Sequence, residues 1–197
     1  MCILDFPVVQ EARQERADEG DLNTQRAPAA AMDNPIPSQL NRTVRRLGRL
    51  RPALRWRMLT WAFGKNVPFM HTARLQFLEL SEERALLFLR NRRRVQNHIG
   101  SVHAAAVALL AETASGTLLT MNLPDDRVPL LKSMQIEYLK RAQGDLLAEA
   151  TLEAGARTRV RAEEKGEIAV PVKVTDQSGV EPVRCRMLWA WVPKHRP

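Results

Sequence analysis

The sequence predicts an α+β fold in which one long buried helix lies against an antiparallel sheet. Between His103 and Met121, Glu112 is the only residue whose side chain is normally charged, and helices that are apolar on every side are buried. The flanking segments alternate apolar and polar residues and are joined by turns short enough to require antiparallel pairing. Because a sheet covers one side of such a helix, we expect another helix or a second copy of the chain to cover the other.

The composition favours one globular domain with an uneven distribution of charge. Of the 197 residues, 45% are hydrophobic and 26% are charged, which is enough for a substantial core. The net charge of +8 arises mainly from residues 37–97, which carry 14 basic and 3 acidic side chains. Nucleic acid, anionic lipid and phosphate-bearing ligands all remain open as the reason for this basic segment.

The two cysteines predict reduced thiols and a cytoplasmic location. Cys2 and Cys185 lie near opposite ends of the chain and form no CxxC motif. No set of His, Cys and carboxylate residues has the spacing of metal ligands, so no metal site is predicted.

Residues 1–34 predict a disordered leader, because they are polar, acidic and without periodicity. Met32 directly precedes Asp-Asn-Pro and the first periodic sequence. We therefore hypothesise that Met32 is the native start. Intact residues 1–31 in the natural protein, found by N-terminal mass spectrometry, would contradict this hypothesis.

Residues 35–66 predict an amphipathic, basic helical segment. Ser38 is a suitable N-cap, and Pro52 should divide the segment into two helices. The segment either packs on the domain with a solvated basic face or makes a peripheral membrane contact through residues 40–63. It contains no recognisable DNA-binding motif, so no nucleic-acid partner is predicted. The apolar positions recur every three or four residues: Leu40, Val44, Leu47, Leu50, Leu54, Met58 and Trp61.

Residues 67–197 predict the main domain, in which the period changes to two on both sides of the buried helix. Turn residues separate most of these runs, and residues 154–166 show no clear pattern. The predicted strands are residues 73–77, 85–89, 134–138, 146–152, 168–174 and 183–191.

Two motifs carry a resemblance to a known family. The first is Asn-His-Ile-Gly-Ser-Val-His at residues 97–103, followed by a carboxylate nine residues after the histidine, at Glu112. The second runs from Tyr138 to Leu146 and contains Gly144-Asp145. In this order, the motifs resemble the hotdog-fold acyl-CoA thioesterase superfamily, and in particular the phenylacetyl-CoA-type thioesterases. The resemblance covers roughly residues 68–192, and the N-terminal helical segment looks like an addition found in an uncharacterised branch.

The resemblance implies a curved antiparallel sheet around a long central helix, and hydrolysis of acyl-CoA to free acid and CoA. No cofactor is implied, since coenzyme A enters as part of the substrate. One departure is that the family's Gly-Gly pair is Ala104-Ala105 here, which adds a methyl group on the side from which a ligand approaches. The implied roles are nucleophile or general base for Glu112, oxyanion donor for the Ala104 N–H, thioester positioning for Asn97, motif positions for Gly100 and His103, and contacts to CoA phosphates for Lys140 and Arg141.

Helix geometry makes the implied site a composite of two subunits. Free N–H groups at a helix N-terminus suit a developing oxyanion, and burial should raise the pKa of Glu112. Ala104 and Glu112, however, lie eight residues apart, about 12 Å along one helix. We therefore expect a homo-oligomer, either a dimer or a dimer of dimers. The alternative is that Glu112 is structural and that the protein binds acyl-CoA or a fatty-acyl ligand without catalysis.

Overall fold

The structure, a computed structural model, describes residues 38–194, so the predicted leader and Met32 lie outside the described residues. The described chain forms five α-helices and six strands. These are α1 (Gln39–Leu47), α2 (Pro52–Asn66), α3 (Pro68–Ala73), β1 (Gln76–Leu80), β2 (Arg84–Leu89), α4 (Ala104–Asn122), β3 (Arg127–Tyr138), β4 (Leu146–Thr151), α5 (Ala154–Ala162), β5 (Gly166–Asp176) and β6 (Val183–Pro193).

The six strands form one antiparallel sheet in the order β1-β2-β4-β5-β6-β3. Helix α4 packs across this sheet and contacts strands β2 to β6. The predicted α+β arrangement, a curved antiparallel sheet around a central helix, is therefore confirmed.

Most residues of α4 are buried, as the apolar sequence predicted. The helix is long and apolar enough to cross a membrane by length and composition, but its burial against the sheet makes it the core helix of the domain. One stripe of α4 is only partly covered by the chain. Its members recur every three or four residues: Ala105, Ala108, Glu112, Gly116 and Thr120.

The N-terminal helical segment is divided in two by Pro52, as predicted. Pro52 occupies the first position of α2, where its missing N–H costs nothing. Ser38 caps α1 by accepting a hydrogen bond from the Asn41 N–H at 3.4 Å. The Arg42 guanidinium pairs with Asp125 at 2.6 Å, which fastens α1 beside the end of α4.

Three regions differ from the predictions. The strand expected at residues 134–138 is longer, because β3 already begins at Arg127. The strand expected at residues 73–77 is wrong in its first part, because α3 ends at Ala73 and β1 begins at Gln76. Arg74 ends α3 in the left-handed conformation, with φ of 57°. Residues 154–162, which showed no clear pattern, form α5.

Candidate functional site

The turn before α4 is held by the side chain of Asn97. Its Oδ1 accepts hydrogen bonds from the N–H groups of Ile99 and Ser101, both at 3.1 Å. Gly100 stands between them with φ of 76°, a conformation that a residue with a Cβ rarely adopts. The structure thus gives Asn97 and Gly100 a role in shaping the turn. A contact between Asn97 and a thioester stays a prediction.

The first turn of α4 presents an unpaired N–H group. His103 is the N-cap, and its Nδ1 accepts a hydrogen bond from the Ala105 N–H at 3.0 Å. The His103 carbonyl accepts from the N–H groups of Ala106 and Val107. Ala104 is an exposed residue, and within residues 38–194 its N–H has no hydrogen-bond acceptor. This donor lies at the positive end of the helix dipole, where an oxyanion is stabilised.

Glu112 is a half-buried carboxylate that the chain itself satisfies poorly. Its nearest partner is the hydroxyl of Thr113, which donates a long hydrogen bond of 3.4 Å to Oε2. Among the described residues, no cation forms an ion pair with it. Burial raises the pKa of Glu112, and the Thr113 hydroxyl offsets this only in part. The carboxylate belongs to the partly covered stripe of α4.

A single chain does not bring the two proposed catalytic groups together. Ala104 and Glu112 stand on one helix, about 12 Å apart along its axis at 1.5 Å per residue. One carbonyl group cannot touch both within one subunit.

Tyr138, the first residue of the second motif, lies beside the first turn of α4, a contact that the sequence did not predict. Its hydroxyl donates a hydrogen bond to the Ala104 carbonyl at 2.9 Å, so the end of β3 is fastened to the first turn of α4. Burial, with a smaller effect of the nearby Cys185 thiol, raises the pKa of Tyr138. Burial also raises the pKa of Cys185 to about 11, so this thiol is uncharged at neutral pH. The available signals were the position of Tyr138 at the end of an alternating strand and at the start of the second motif.

Arg141 has partners within the chain. Its guanidinium donates to the Ile99 carbonyl at 2.5 Å and to the Ser101 hydroxyl at 2.8 Å, which ties the segment after β3 to the turn before α4. Lys140 is exposed, and its backbone N–H donates to the Pro182 carbonyl. Contacts between these two side chains and CoA phosphates stay predictions.

A groove of about 680 Å³ lies away from these residues, between α2, α3 and β1. Trp56, Thr60, Met70 and Phe77 line it, and none of the predicted site residues does. In the described part of the chain, no group of three or more His, Cys, Asp and Glu residues is placed to hold a metal ion.

A family model described as a domain of unknown function, DUF4442, matches residues 55–192. The chain belongs to this family. The match begins inside α2 and extends to the end of β6, so it includes the turn before α4, Glu112 and the segment after β3. A comparison with curated proteins finds no match.

Solved structures with the same fold include several thioesterases. A Pseudomonas aeruginosa protein of unknown function, described as a probable thioesterase, is 25% identical over 66% of this chain and 91% of its own, with a TM-score of 0.60. A Haemophilus influenzae thioesterase is 12% identical over 66% and 87%, with a TM-score of 0.55. A Staphylococcus aureus thioesterase is 16% identical over 64% and 100%, with a TM-score of 0.55. The last two show the fold alone. The resemblance to the hotdog-fold thioesterase superfamily is confirmed.

Proposed function

We propose that this protein hydrolyses acyl-CoA thioesters to a free acid and CoA at a site formed between subunits. The observation that carries the proposal is that one helix has, at exposed Ala104, an N–H with no acceptor among the described residues and, at Glu112, a poorly satisfied carboxylate. Thioester hydrolysis needs a donor where the oxyanion forms and a nucleophile or base beside the carbonyl carbon. The Pseudomonas aeruginosa protein described as a probable thioesterase, which is 25% identical, supports this choice of reaction.

In the proposed reaction, the thioester carbonyl oxygen accepts a hydrogen bond from the Ala104 N–H. Glu112 of the other subunit either attacks the carbonyl carbon or removes a proton from an attacking water. The tetrahedral intermediate then expels the CoA thiolate, which takes up a proton. In the nucleophilic route, water hydrolyses the acyl-enzyme anhydride in a second step. Both routes consume one water and release one acid and one CoA. A raised pKa makes the Glu112 carboxylate a stronger base, which suits it to accept a proton from water.

Strand β3 supports the homo-oligomer that this site needs, either a dimer or a dimer of dimers. Within the described chain, β3 pairs with β6 alone and forms the outer edge of the sheet. An uncovered edge is a template for pairing with another chain. Leu130, Met134 and Tyr138 are 44–51% exposed on this strand. Tyr138 also contacts Ala104, so a partner at this edge would approach the first turn of α4.

The experiment is a panel of acyl-CoA thioesters of different chain length, with CoA release followed by a thiol reagent. Glu112→Gln should lower kcat by about a hundredfold or more, because it removes the base or nucleophile and keeps the shape. Glu164→Gln is the matched control, since Glu164 is exposed and outside the site. Native kcat in Glu112→Gln would contradict the proposal.

The alternative function is binding of acyl-CoA or a fatty-acyl ligand without catalysis. The Ala104-Ala105 pair favours it, since a methyl group stands where family members have only hydrogen. Calorimetric titration distinguishes the two functions. Acyl-CoA binding with no turnover of any thioester in the panel supports the binding protein.

A peripheral membrane contact is proposed through the region of residues 40–63, in a protein that is otherwise cytoplasmic. Leu54, Met58 and Trp61 are 43–60% exposed at spacings of four and three on α2, with Arg57 exposed beside them. Such a face suits an anionic bilayer surface. The test is sedimentation with phosphatidylglycerol vesicles, where Trp61→Ser should reduce binding. Absence of the native protein from the vesicle pellet would contradict the contact.

A further inference from the structure

Four arginines gather beside the turn that precedes α4; Arg74, Arg90, Arg92 and Arg94 are called the arginine cluster below. Gln76 of β1 pairs with Phe88 of β2, and continuing this register places Arg74 opposite Arg90 just beyond the paired residues. Arg92 and Arg94 follow on the loop that leads to the turn. The α3 terminus fixes the backbone of Arg74, whose N–H donates to the carbonyls of His71 and Met70.

The arginine cluster is not neutralised within the described chain. Among residues 38–194, none of its members forms an ion pair with a carboxylate. Burial and the charges of Arg74 and Arg90 lower the pKa of Arg92, and Asp145 opposes this. The Nε of Arg92 is shielded from water without a hydrogen-bond partner among the described residues. Other arginines of the described chain have carboxylate partners, namely Arg42, Arg45, Arg84, Arg127, Arg157, Arg159, Arg161 and Arg184.

Hydrogen bonds fasten the arginine cluster to the proposed active site. Asn91, which lies between Arg90 and Arg92, donates through Nδ2 to the Gly100 carbonyl at 3.1 Å. Its backbone N–H donates to the Asp145 carboxylate at 2.7 Å. These bonds hold the chain between Arg90 and Arg92 next to the turn that orients the first residues of α4. A ligand that reaches both places needs a reactive group at one end and several negative charges at the other.

We propose that the arginine cluster binds the phosphate groups of the CoA portion of the substrate, an assignment that rests on the proposed function. CoA carries a diphosphate and a 3′-phosphate, separated from the thioester by the extended pantetheine arm. Guanidinium groups bind phosphate oxygens through paired, charge-assisted hydrogen bonds. Arg141 is less suited to this role, because its guanidinium already binds Ile99 and Ser101. The arginine cluster is thus the main phosphate site in place of Arg141.

The test is calorimetric titration of the full chain with CoA, 3′-dephospho-CoA and pantetheine. The native protein should bind CoA more tightly than 3′-dephospho-CoA, and pantetheine most weakly. The double variant Arg92→Ala/Arg94→Ala should bind CoA about tenfold or more weakly, through loss of charged hydrogen bonds. The variant Arg92→Lys/Arg94→Lys should keep part of this affinity, because lysine keeps the charge but not the paired geometry. Thermal unfolding confirms that each variant is folded.

The matched control is Arg46→Ala/Arg49→Ala, which removes the same charge near α1. The neighbouring Arg45 pairs with Glu82 in the β1–β2 turn, at the opposite end of that hairpin from the arginine cluster. The control should bind CoA with native affinity. Equal weakening in the control, no weakening in the cluster variants, or absence of CoA binding by the native protein would each overturn the assignment.

Turnover separates this assignment from the proposed function. If the native protein hydrolyses S-acyl-pantetheine as efficiently as acyl-CoA, and Glu112→Gln abolishes both activities, the phosphate site is wrong and the thioesterase stands. If CoA binding depends on the arginine cluster but no thioester is hydrolysed, the phosphate site stands and the thioesterase is wrong. A duplex oligonucleotide that binds at the cluster more tightly than CoA would overturn the assignment in favour of nucleic acid.

Discussion

At the scale of single residues, the Ala104 N–H is a donor that one substitution can remove. Proline lacks this group and is favoured at the first helical position, which Ala104 occupies. His103 has φ of −65° and ψ of 143°, a conformation that a residue before proline adopts. We expect Ala104→Pro to lower kcat by about 10²–10³-fold without lowering Tm, as for loss of an oxyanion donor.

The matched control for this prediction is Ala104→Gly. It keeps the N–H and removes the methyl group, so activity should be retained or raised. Steady-state kinetics and thermal unfolding of the two variants test whether the Ala104 N–H takes part in the reaction. A kcat for Ala104→Pro equal to that of the native protein would exclude this donor from the reaction.

Glu112 should make the stability of the fold depend on pH. Because burial raises its pKa, the folded state binds more protons than the unfolded state between the ordinary glutamate pKa and the raised one. Stability therefore falls as pH rises through this window. Glu112→Gln should remove this pH-dependent loss of stability and raise Tm at neutral pH. The variant would then be more stable than the native protein but less active. Parallel stability–pH curves for the native protein and the variant, measured by denaturant unfolding, would disprove the prediction.

The sequence predicted the residues whose signal is local and missed those whose role depends on tertiary contacts. Glu112 stood out because it interrupts an apolar helix, and Ala104 because it follows the turn motif. Tyr138 and Asn91 act through hydrogen bonds to backbone atoms that are distant in the chain or across a loop. No local sequence pattern predicts such a hydrogen bond. The resemblance assigned Arg141 to CoA phosphates, and the sequence could not show that its guanidinium contacts the turn.

At the scale of elements, the packing of α4 on β6 depends on a glycine. A Cβ at Gly116 would lie 2.6 Å from the Trp189 ring, and the indole is held by a 3.0 Å hydrogen bond from its Nε1 to the Ser115 hydroxyl. Gly116→Ala should therefore lower the free energy of unfolding by about 1–3 kcal/mol through overpacking, although alanine favours helix.

Gly155 in α5 provides the contrast, since a Cβ there meets no atom within 4 Å. Gly155→Ala should raise the free energy of unfolding by about 0.4–1 kcal/mol, because it restricts the unfolded chain. Denaturant unfolding of both variants gives the comparison. Similar changes at the two positions would show that the Trp189 contact does not constrain α4.

Periodicity predicted helix α4 and the presence of the two N-terminal helices, which Pro52 separates, but not the packing of α2. The expected apolar stripe is exposed at Leu54, Met58 and Trp61, and Leu59 is buried instead. Periodicity also found only the last five residues of β3, and it failed for the short elements. Helix α3 has six residues, and Ala73, Leu75 and Phe77 imitate the alternation of a strand although a helix end separates the first from the others. Helix α5 buries Val160 as its one fully covered residue, which is too little for a helical period to be visible.

At the scale of the whole molecule, the basic surplus of residues 37–97 separates into distinct groups. Arginines of α1 pair with Asp125 and Glu82 and fasten that helix to the domain. The arginine cluster lies beside the turn before α4. The composition showed the excess of basic residues in this part of the chain. Assigning these residues to separate groups required the sheet register and the ion pairs, which link residues that are distant in sequence.

The composite site is the central claim, and subunit mixing tests it most directly. Ala104→Pro and Glu112→Gln chains, each inactive alone, are unfolded and refolded together, with native protein carried through the same procedure. If each site takes Ala104 from one chain and Glu112 from its partner, one of the two sites in every mixed dimer is intact. Because half of randomly formed dimers are mixed, roughly a quarter of native activity should return. A mixture that contains mixed dimers and is no more active than the separate variants would contradict the account.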